Sequence, residues 1–364
     1  MGVRSWRSAA VACAAVLAAA VLAGCGGGSA GGGTAPSAPA PAEDGYPVTV
    51  QNCGRTLTFD RAPSRMLLGY HPVAEIAVGL GLADRAVGRT GYAGGLSKAP
   101  VLPEQQADFD RIPVVSDNNY PPPKEQLLTL RPDFILGYGI FDVGGDAAGA
   151  PGLATMDELT AAGIPIYMAT CPDGIDDPGG GYGQDTLAAT YQTILDVGRI
   201  FGVSERAEQR VAEMKAQIEA VRARTGTEGS PKVLLYSRGT GPIEVVGGRS
   251  LITEIVEAAG GTNVFADGKI FFEASKEAVA ARPADVFLIF SEYGSAAEAG
   301  EFLFRTFPSM PASSARRTAA TEYTFTSPGW RVAQTVEDIA RQLHPAAFDT
   351  PSQTGQYTDP AGAR

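Results

Sequence analysis

Histidine is scarce in this chain, because only His71 and His344 occur among its 364 residues. Two histidines leave little room for a histidine-based metal site or for acid–base catalysis. Basic residues are outnumbered as well: 29 Lys and Arg face 40 Asp and Glu, which gives a net charge of -11. Nucleic acids and anionic lipids attract clustered basic side chains, so neither is expected as the main partner. The absence of a His-Glu-x-x-His motif and of a P-loop argues against an enzyme.

The N-terminal residues 1–25 resemble a bacterial lipoprotein signal peptide that ends in a lipobox. Two arginines precede an apolar run from Ala9 to Ala23, which is shorter than the ~20 residues needed to span a membrane. The run ends in the letters LAGC, and Cys25 stands where a lipobox cysteine receives its lipid. An ordinary secretory signal with a chance cysteine is the alternative. Residues 26–46 are rich in Gly, Ser, Ala and Pro and predict a flexible linker.

Cysteine is also rare, with four in the whole chain. Cys13 lies in the signal segment and Cys25 is the expected lipidation site, which leaves Cys53 and Cys171 for the folded part. Outside the cytosol, two remaining cysteines predict one disulfide, and two buried free thiols are the alternative.

The folded part is too long for one ordinary core and predicts two lobes. Apolar runs alternate with helical patterns, which is typical of an α/β fold. We expect an N-terminal binding lobe over 47–185, a connecting helix over 186–226, a C-terminal binding lobe over 227–345 and a tail over 346–364. Strands are predicted at Met66–Tyr70, Ala86–Thr90, Phe134–Tyr138, Pro165–Thr170, Lys232–Ser237, Ile243–Val246, Val286–Ser291 and Thr321–Phe325. Helices are predicted at Val73–Leu80, Glu125–Leu130, Met156–Ala162, Leu251–Ala259, Glu277–Ala281 and Val332–Leu343.

The connecting segment carries one apolar stripe at helical spacing, which favours a single helix packed across both lobes. Gly202 to Ser204 could break or kink that helix. A weak internal repeat relates the two lobes, since residues 124–136 (KEQLLTLRPDFIL) resemble residues 276–288 (KEAVAARPADVFL). Each copy has Lys-Glu, a short helix, Arg-Pro, an Asp and an apolar strand. The repeat therefore predicts two lobes of related architecture.

Several stretches in order carry a family resemblance. They are residues 63–68 (PSRMLL), 75–88, 125–135, 161–164, 257–265 and 277–288. The chain resembles the substrate-binding proteins of ABC importers, in the class that serves ferric siderophores, haem and cobalamin. The resemblance covers about residues 48–345. It implies two Rossmann-like lobes joined by a long connecting α-helix, with the ligand cleft between the lobes at the carboxyl ends of the strands.

The resemblance also implies the partners and the location. We expect a monomer that is held at the extracytoplasmic face of the membrane by lipid on Cys25 and that serves an ABC permease and its ATPase. One acidic residue per lobe would dock on the permease, and by position in the repeat these are Glu125 and Glu277. A solvated glutamate at a helix start is the alternative for each. Three weaker candidates on similar helices are Glu75, Glu254 and Glu257.

The candidate ligand-binding residues follow predicted strands or open the last helix. Tyrosine and tryptophan offer flat apolar contacts, and arginine offers forked donors to ligand oxygens. Each also has an ordinary structural explanation, such as a core edge or an ion pair. The candidates are Tyr70, His71, Tyr92, Tyr138, Arg238, Tyr293, Trp330 and Arg331.

The expected ligand is an iron(III) siderophore, with cobalamin and haem as rivals. In this class the organic ligand usually holds the metal, so neither a protein-bound metal nor a cofactor is expected. A surface sensor or scavenger on the same fold and a secreted α/β hydrolase are the other classes considered. A Gly-rich insertion at 174–183 could be a lid or a loop of spare length without a role.

Overall fold

A computed structural model describes residues 45–91, 101–117, 120–139, 152–171, 186–226, 229–237, 240–290 and 295–348. Its helices and strands alternate along the chain, as the apolar runs predict. Among these residues, no helix is both long and apolar enough to cross a membrane. The strands are β1 Val48–Asn52, β2 Arg55–Phe59, β3 Met66–Leu68, β4 Ala86–Thr90, β5 Val114–Ser116, β6 Phe134–Gly137, β7 Ile166–Met168, β8 Lys232–Tyr236, β9 Glu244–Val246, β10 Thr262–Asn263, β11 Phe271–Glu273, β12 Val286–Phe290 and β13 Thr318–Thr321. The helices are α1 His71–Gly79, α2 Gln106–Asp110, α3 Lys124–Leu130, α4 Met156–Ala161, α5 Leu187–Ile200, α6 Ser204–Thr225, α7 Leu251–Ala258, α8 Lys276–Ala280, α9 Ala296–Thr306, α10 Pro311–Ser314 and α11 Arg331–Leu343.

Each lobe is built on its own sheet. The N-terminal sheet has the order β5-β4-β3-β6-β7, and all its pairings are parallel. The C-terminal sheet has the order β11-β9-β8-β12-β13, with β10 pairing beside β8. Strands β8, β12 and β13 are parallel, whereas β9 and β11 run antiparallel to their neighbours. Every residue of the central strands β3 and β12 is buried, as expected for a sheet covered on both faces. The predicted α/β fold with two lobes is confirmed.

A hairpin that the sequence analysis did not predict precedes the first sheet. Strands β1 and β2 pair antiparallel around a tight turn at Cys53 and Gly54, both of which have positive φ. The side-chain amide of Asn52 donates to the carbonyl of Met168 and accepts from its N–H, each at 2.8 Å. Cys53 and Cys171 form a disulfide in the structure, in the predicted pairing. The hairpin is therefore attached to the end of β7, at the edge of the N-terminal sheet.

The connecting segment contains the predicted long helix, α6, and the shorter helix α5 precedes it; the two are separated at the place between Gly202 and Ser204 where the sequence analysis allowed a break. Helix α5 ends at Ile200, and Gly202 adopts φ +68, which glycine accepts at little cost. Helix α6 then begins at Ser204 and runs to Thr225. The apolar stripe of α6 is buried as predicted, from Ala207 to Val221.

One apolar core is common to both lobes. It runs from β3 and β6 through the connecting helices to β8 and α11. Each lobe adds a smaller cluster of its own on the other side of its sheet, centred on Leu127 in the N-terminal lobe and on Val279 in the C-terminal lobe. The lobes are therefore joined by buried apolar surface as well as by the chain.

The internal repeat has a clear structural role. The carboxylate of Asp133 accepts hydrogen bonds from the backbone N–H groups of Ser64 at 2.9 Å and Arg65 at 2.8 Å, just before β3. The carboxylate of Asp285 accepts from the N–H of Lys232 at 2.8 Å, at the start of β8. Each aspartate thus fixes the strand that follows it against the first strand of its lobe's sheet.

The predicted strand Thr321–Phe325 is wrong. Strand β13 spans Thr318–Thr321, and residues Tyr323–Thr326 form a 3-10 turn. The register explains the difference, because Thr321 pairs with Phe290, where the neighbouring strand β12 ends. Beyond Thr321 the backbone has no strand alongside it among the described residues and closes on itself, with Phe325 N–H bonded to the carbonyl of Glu322 at 3.0 Å.

Candidate functional site

Two of the predicted tyrosines meet where the N-terminal sheet ends. Tyr70 lies between β3 and α1, and Tyr138 follows β6, the strand next to β3. Their ring centroids are 4.9 Å apart at 32°. Tyr70 has a φ of 39, a conformation that costs energy for a bulky residue. Its N–H donates to the hydroxyl of Thr90 at 2.9 Å, so the turn is held from the neighbouring strand β4. The paired rings lie at the carboxyl edge of this sheet, where both residues are buried, at 8% and 6% exposure.

A stack of cationic and aromatic side chains continues that edge. The His71 ring lies 5.0 Å from the ring of Phe109, measured between centroids. The guanidinium of Arg89 lies over the same Phe109 ring, 4.2 Å from its centroid. Burial lowers the pKa of Arg89, and its Nε is buried without a hydrogen-bond partner among the described residues. The sequence does not single out Arg89, because it lies inside β4, whereas the predicted ligand residues follow strands or open the last helix.

Two further predicted residues, Trp330 and Arg331, reach the N-terminal lobe from the start of α11. The Nε of Arg331 donates to both carboxylate oxygens of Glu75, at 2.9 and 3.1 Å. The indole N–H of Trp330 donates to the backbone carbonyl of Glu75 at 2.6 Å. Glu75 also lies 3.2 Å from Nε2 of His71, measured from Oε1. We call the set of His71, Glu75, Trp330 and Arg331 the lobe junction.

The lobe junction is closely packed. The side chain of Glu75 is 2% exposed, and those of His71 and Arg331 are each 12% exposed. The Arg331 guanidinium also lies over the ring of Phe325, 4.6 Å from its centroid. A Cβ on Gly79 would overlap the indole of Trp330, so glycine is needed at that position of α1. Trp330 and Arg331 therefore have partners within the protein, and their contact with a ligand stays a prediction.

The two glutamates predicted to dock on a partner lie at equivalent places. Glu125 is exposed in the first turn of α3, and Glu277 is exposed in the first turn of α8. Hydrogen bonds from its own backbone N–H and from the Ser275 hydroxyl lower the pKa of Glu277. Both side chains are thus accessible, and their docking role stays a prediction.

Four predicted residues cannot be placed. Tyr92, Arg238, Tyr293 and the lipidation candidate Cys25 lie outside the described residues, as does the Gly-rich stretch 174–183. Within the described ranges, no group of His, Cys, Asp and Glu could hold a metal ion. Glu75 was rated only as a weak docking candidate, although its carboxylate occupies the centre of the lobe junction. Its partners on α11 are more than 250 positions away, so no local pattern points to them.

Two α/β lobes, a helical connector and an aromatic edge beside the point where the lobes meet define a two-lobed binding protein. A family profile described as "Periplasmic binding protein" matches residues 69–308, well over half of the chain. The chain belongs to this family, in the class that includes cobalamin-, haem- and siderophore-binding members.

Individual relatives agree with that assignment. A vitamin B12-binding protein of Yersinia pestis (strain Pestoides F) is 26% identical over 238 residues, which make up 64% of this chain and 72% of that protein. A periplasmic heme-binding protein from Roseiflexus sp. RS-1, in apo form, has a TM-score of 0.58 and 26% identity, with 78% of this chain and 99% of that chain covered. The structure of an ABC-type Fe3+-hydroxamate transport system from Saccharomonospora viridis DSM 43017 has a TM-score of 0.64 at 24% identity, and covers 82% of this chain and 99% of its own. The last likeness supports the fold alone.

Proposed function

We propose that this protein is the extracytoplasmic substrate-binding lipoprotein of an ABC importer, and that it captures a metal chelate and delivers it to the permease. The observation that carries the proposal is the family assignment combined with the aromatic and cationic edge beside the lobe junction. The ligand we favour is an iron(III) siderophore. Cobalamin and haem are the rival ligands, and both appear in the names of related proteins.

The chemistry of the edge supports a bulky chelate. Tyr70 and Tyr138 would supply aromatic rings with hydroxyl groups at this edge, which suits an organic ligand that wraps a metal. The one carboxylate at the lobe junction, Glu75, is paired with Arg331, and Arg89 adds a further positive charge nearby. A ligand whose outer surface carries oxygen donors or carboxylates complements that balance of charge.

The proposed delivery step uses the two accessible glutamates. Glu125 and Glu277 each begin a short helix at matching positions of the repeat, one in each lobe. Carboxylates held in this way can pair with arginines on a permease, whose ATPase then drives transport. Lipid on Cys25 and the linker over 26–46 would keep the protein, as a monomer, near the permease.

The test is a titration of the processed protein against four ligands: a ferric hydroxamate, a ferric catecholate, cyanocobalamin and haemin. The chain has two tryptophans, and Trp6 leaves with the signal segment, so emission reports on Trp330 at the lobe junction. We expect saturable quenching by the ferric hydroxamate or catecholate at sub-micromolar concentration. Free indole controls for inner-filter loss, and calorimetry repeats each titration. If only cyanocobalamin or only haemin saturates the protein, that compound is the ligand and the siderophore proposal is wrong.

Three outcomes would contradict the proposal. If none of the four ligands binds in either method, the result would argue against a chelate receptor. Recovery of a chemically altered ligand after incubation would favour the secreted α/β hydrolase. A receptor that binds a chelate but leaves its cellular uptake unchanged when deleted would be a sensor or scavenger instead.

A further inference from the structure

We propose that Glu75 is a positioning residue for the ligand site and the centre of a second connection between the lobes. The first connection is the pair of helices α5 and α6 with the apolar core that is common to both lobes. The second is the lobe junction, in which Glu75 holds His71 of its own lobe and Arg331 of the other. The ligand-affinity part of this inference rests on the proposed function, whereas the connection itself does not.

The burial of Glu75 makes the connection specific. A carboxylate that is 2% exposed is costly unless it is paired, and Arg331 donates to both of its oxygens. The backbone carbonyl of Glu75 is occupied as well, by the indole N–H of Trp330. If α11 slid or rotated along α1, these hydrogen bonds would break together. The Glu75 carboxylate would then lie in apolar surroundings without its partner on α11.

Helix α1 is held at both ends, so a change at the lobe junction also moves the aromatic edge. At its C-terminal end, the guanidinium of Arg206 on α6 donates to the carbonyl of Leu80. At its N-terminal end, His71 follows directly after Tyr70, the residue stacked on Tyr138. The angle at which the second lobe meets α1 therefore fixes the placement of the aromatic edge, and loss of the Glu75 charge would release it.

The first arm of the test measures distance without ligand. Spin labels are attached through Gln126→Cys and Ala278→Cys, at exposed positions on α3 and α8, one in each lobe. We expect a narrow distance distribution in the parent protein and a broader one after Glu75→Gln, which keeps the size of the side chain but removes its charge. The matched control is Glu301→Gln, which removes an exposed ion pair with Arg316 and is expected to leave the distribution unchanged.

The second arm separates positioning from simple stability. Glu75→Gln removes the carboxylate that accepts from the buried Arg331 guanidinium, and it is expected to lower the melting temperature and to weaken binding of the ferric hydroxamate about 10-fold. The paired variant Glu75→Gln/Arg331→Met removes both charges, so the melting temperature should recover while the distance distribution should stay broad. Recovery of the narrow distribution together with the melting temperature would overturn the positioning role.

If Glu75→Gln does not fold, Trp330→Phe removes the donor to the Glu75 carbonyl, together with part of the buried indole ring, and is measured in the same two arms. A distribution that stays narrow in every variant overturns the second connection. A broadened distribution in a protein that binds none of the four ligands supports the connection and contradicts only the proposed function.

Discussion

The two lobes align their central strands with the same device but finish their sheets differently. In both, an aspartate of the Arg-Pro repeat binds the backbone where the first sheet strand begins, Asp133 before β3 and Asp285 at β8. The arginines of the repeat have different roles. Arg131 ends α3 with a φ of 46, whereas Arg282 pairs with Asp267 at 2.5 Å. The aspartates, which align the strands of each sheet, therefore have the same role in both copies of the repeat, whereas the arginines do not.

The edges of the sheets explain why the lobes differ. The N-terminal sheet is wholly parallel and carries the β1–β2 hairpin, which the Cys53–Cys171 disulfide ties to the end of β7. The C-terminal sheet ends instead in the antiparallel strands β9 and β11. The two lobes thus share their central strands and differ at the edges of their sheets. Matched substitutions in the two lobes therefore separate common features from individual ones.

The largest effect is expected from charge reversal at the paired helix starts. Glu125→Lys/Glu277→Lys should reduce uptake of radioiron-labelled ferric hydroxamate by more than about 10-fold, because like charges repel at a cationic docking surface. Affinity for the chelate should stay within about 2-fold, since both side chains are exposed. Uptake is measured in cells that lack the native copy, and affinity by calorimetry.

Two exposed acids serve as controls for that experiment. Asp157→Lys in the N-terminal lobe and Glu273→Lys in the C-terminal lobe change the same charge near each helix. They should leave uptake unchanged. Equal loss of uptake and affinity in the Glu125/Glu277 variant would contradict the docking assignment. Loss of uptake in Glu277→Lys alone would show that the two lobes contribute unequally.

Removal of the disulfide should affect the N-terminal lobe first. Cys53→Ser/Cys171→Ser frees a loop of 118 residues and is expected to cost about 2–5 kcal/mol of unfolding free energy. Urea unfolding measures the total loss, and hydrogen exchange shows its location. We expect faster exchange in β1, β2 and β7 than in β8 and β12. Equal acceleration in both sheets would show that the disulfide supports the shared core instead.

A matched pair of core truncations compares the two smaller clusters. Leu127 and Val279 occupy equivalent positions of the repeat, and both are fully buried. Leu127→Ala should cost about 2–5 kcal/mol, and Val279→Ala less, because valine loses fewer carbons. The check is thermal and urea unfolding of both variants. A larger loss at Val279 would mean that the C-terminal cluster is the less able to relax around a cavity.

The smallest effect concerns the aspartates that align the strands. Asp133→Ala removes bonds to two backbone N–H groups and to the Ser64 hydroxyl, whereas Asp285→Ala removes one such bond. We expect losses of about 1–3 kcal/mol for Asp133 and about 1 kcal/mol for Asp285. Urea unfolding distinguishes them. Equal losses would show that the Ser64 contacts contribute little.

The frame of both lobes was predictable from the sequence because its strands are buried on both faces. Strands such as β3, β6, β8 and β12 read as continuous apolar runs bounded by turn residues. The β1–β2 hairpin was missed, although alternating residues around Cys53-Gly54 carry a hairpin signal. Its strands alternate apolar residues with Thr and other polar residues, so they do not stand out as continuous apolar runs.

The candidate site was predictable only in part. Residues after strands led to Tyr70 and Tyr138, because the carboxyl ends of parallel strands share one edge. The pairing of Glu75 with Arg331 was not predictable, since it depends on how α1 and α11 meet across the whole fold. Contacts between distant segments follow from the packing of the lobes and leave no mark in local sequence.

The central claim is that one ligand is bound by both lobes at once, beside the lobe junction. Hydrogen exchange of the processed protein with and without saturating ferric hydroxamate tests it most directly. The account predicts simultaneous protection of residues 69–75 in the N-terminal lobe and of residues 323–332 in the C-terminal lobe, with little change in β1 and β11. Protection confined to one lobe, or spread evenly over the whole chain, would contradict it.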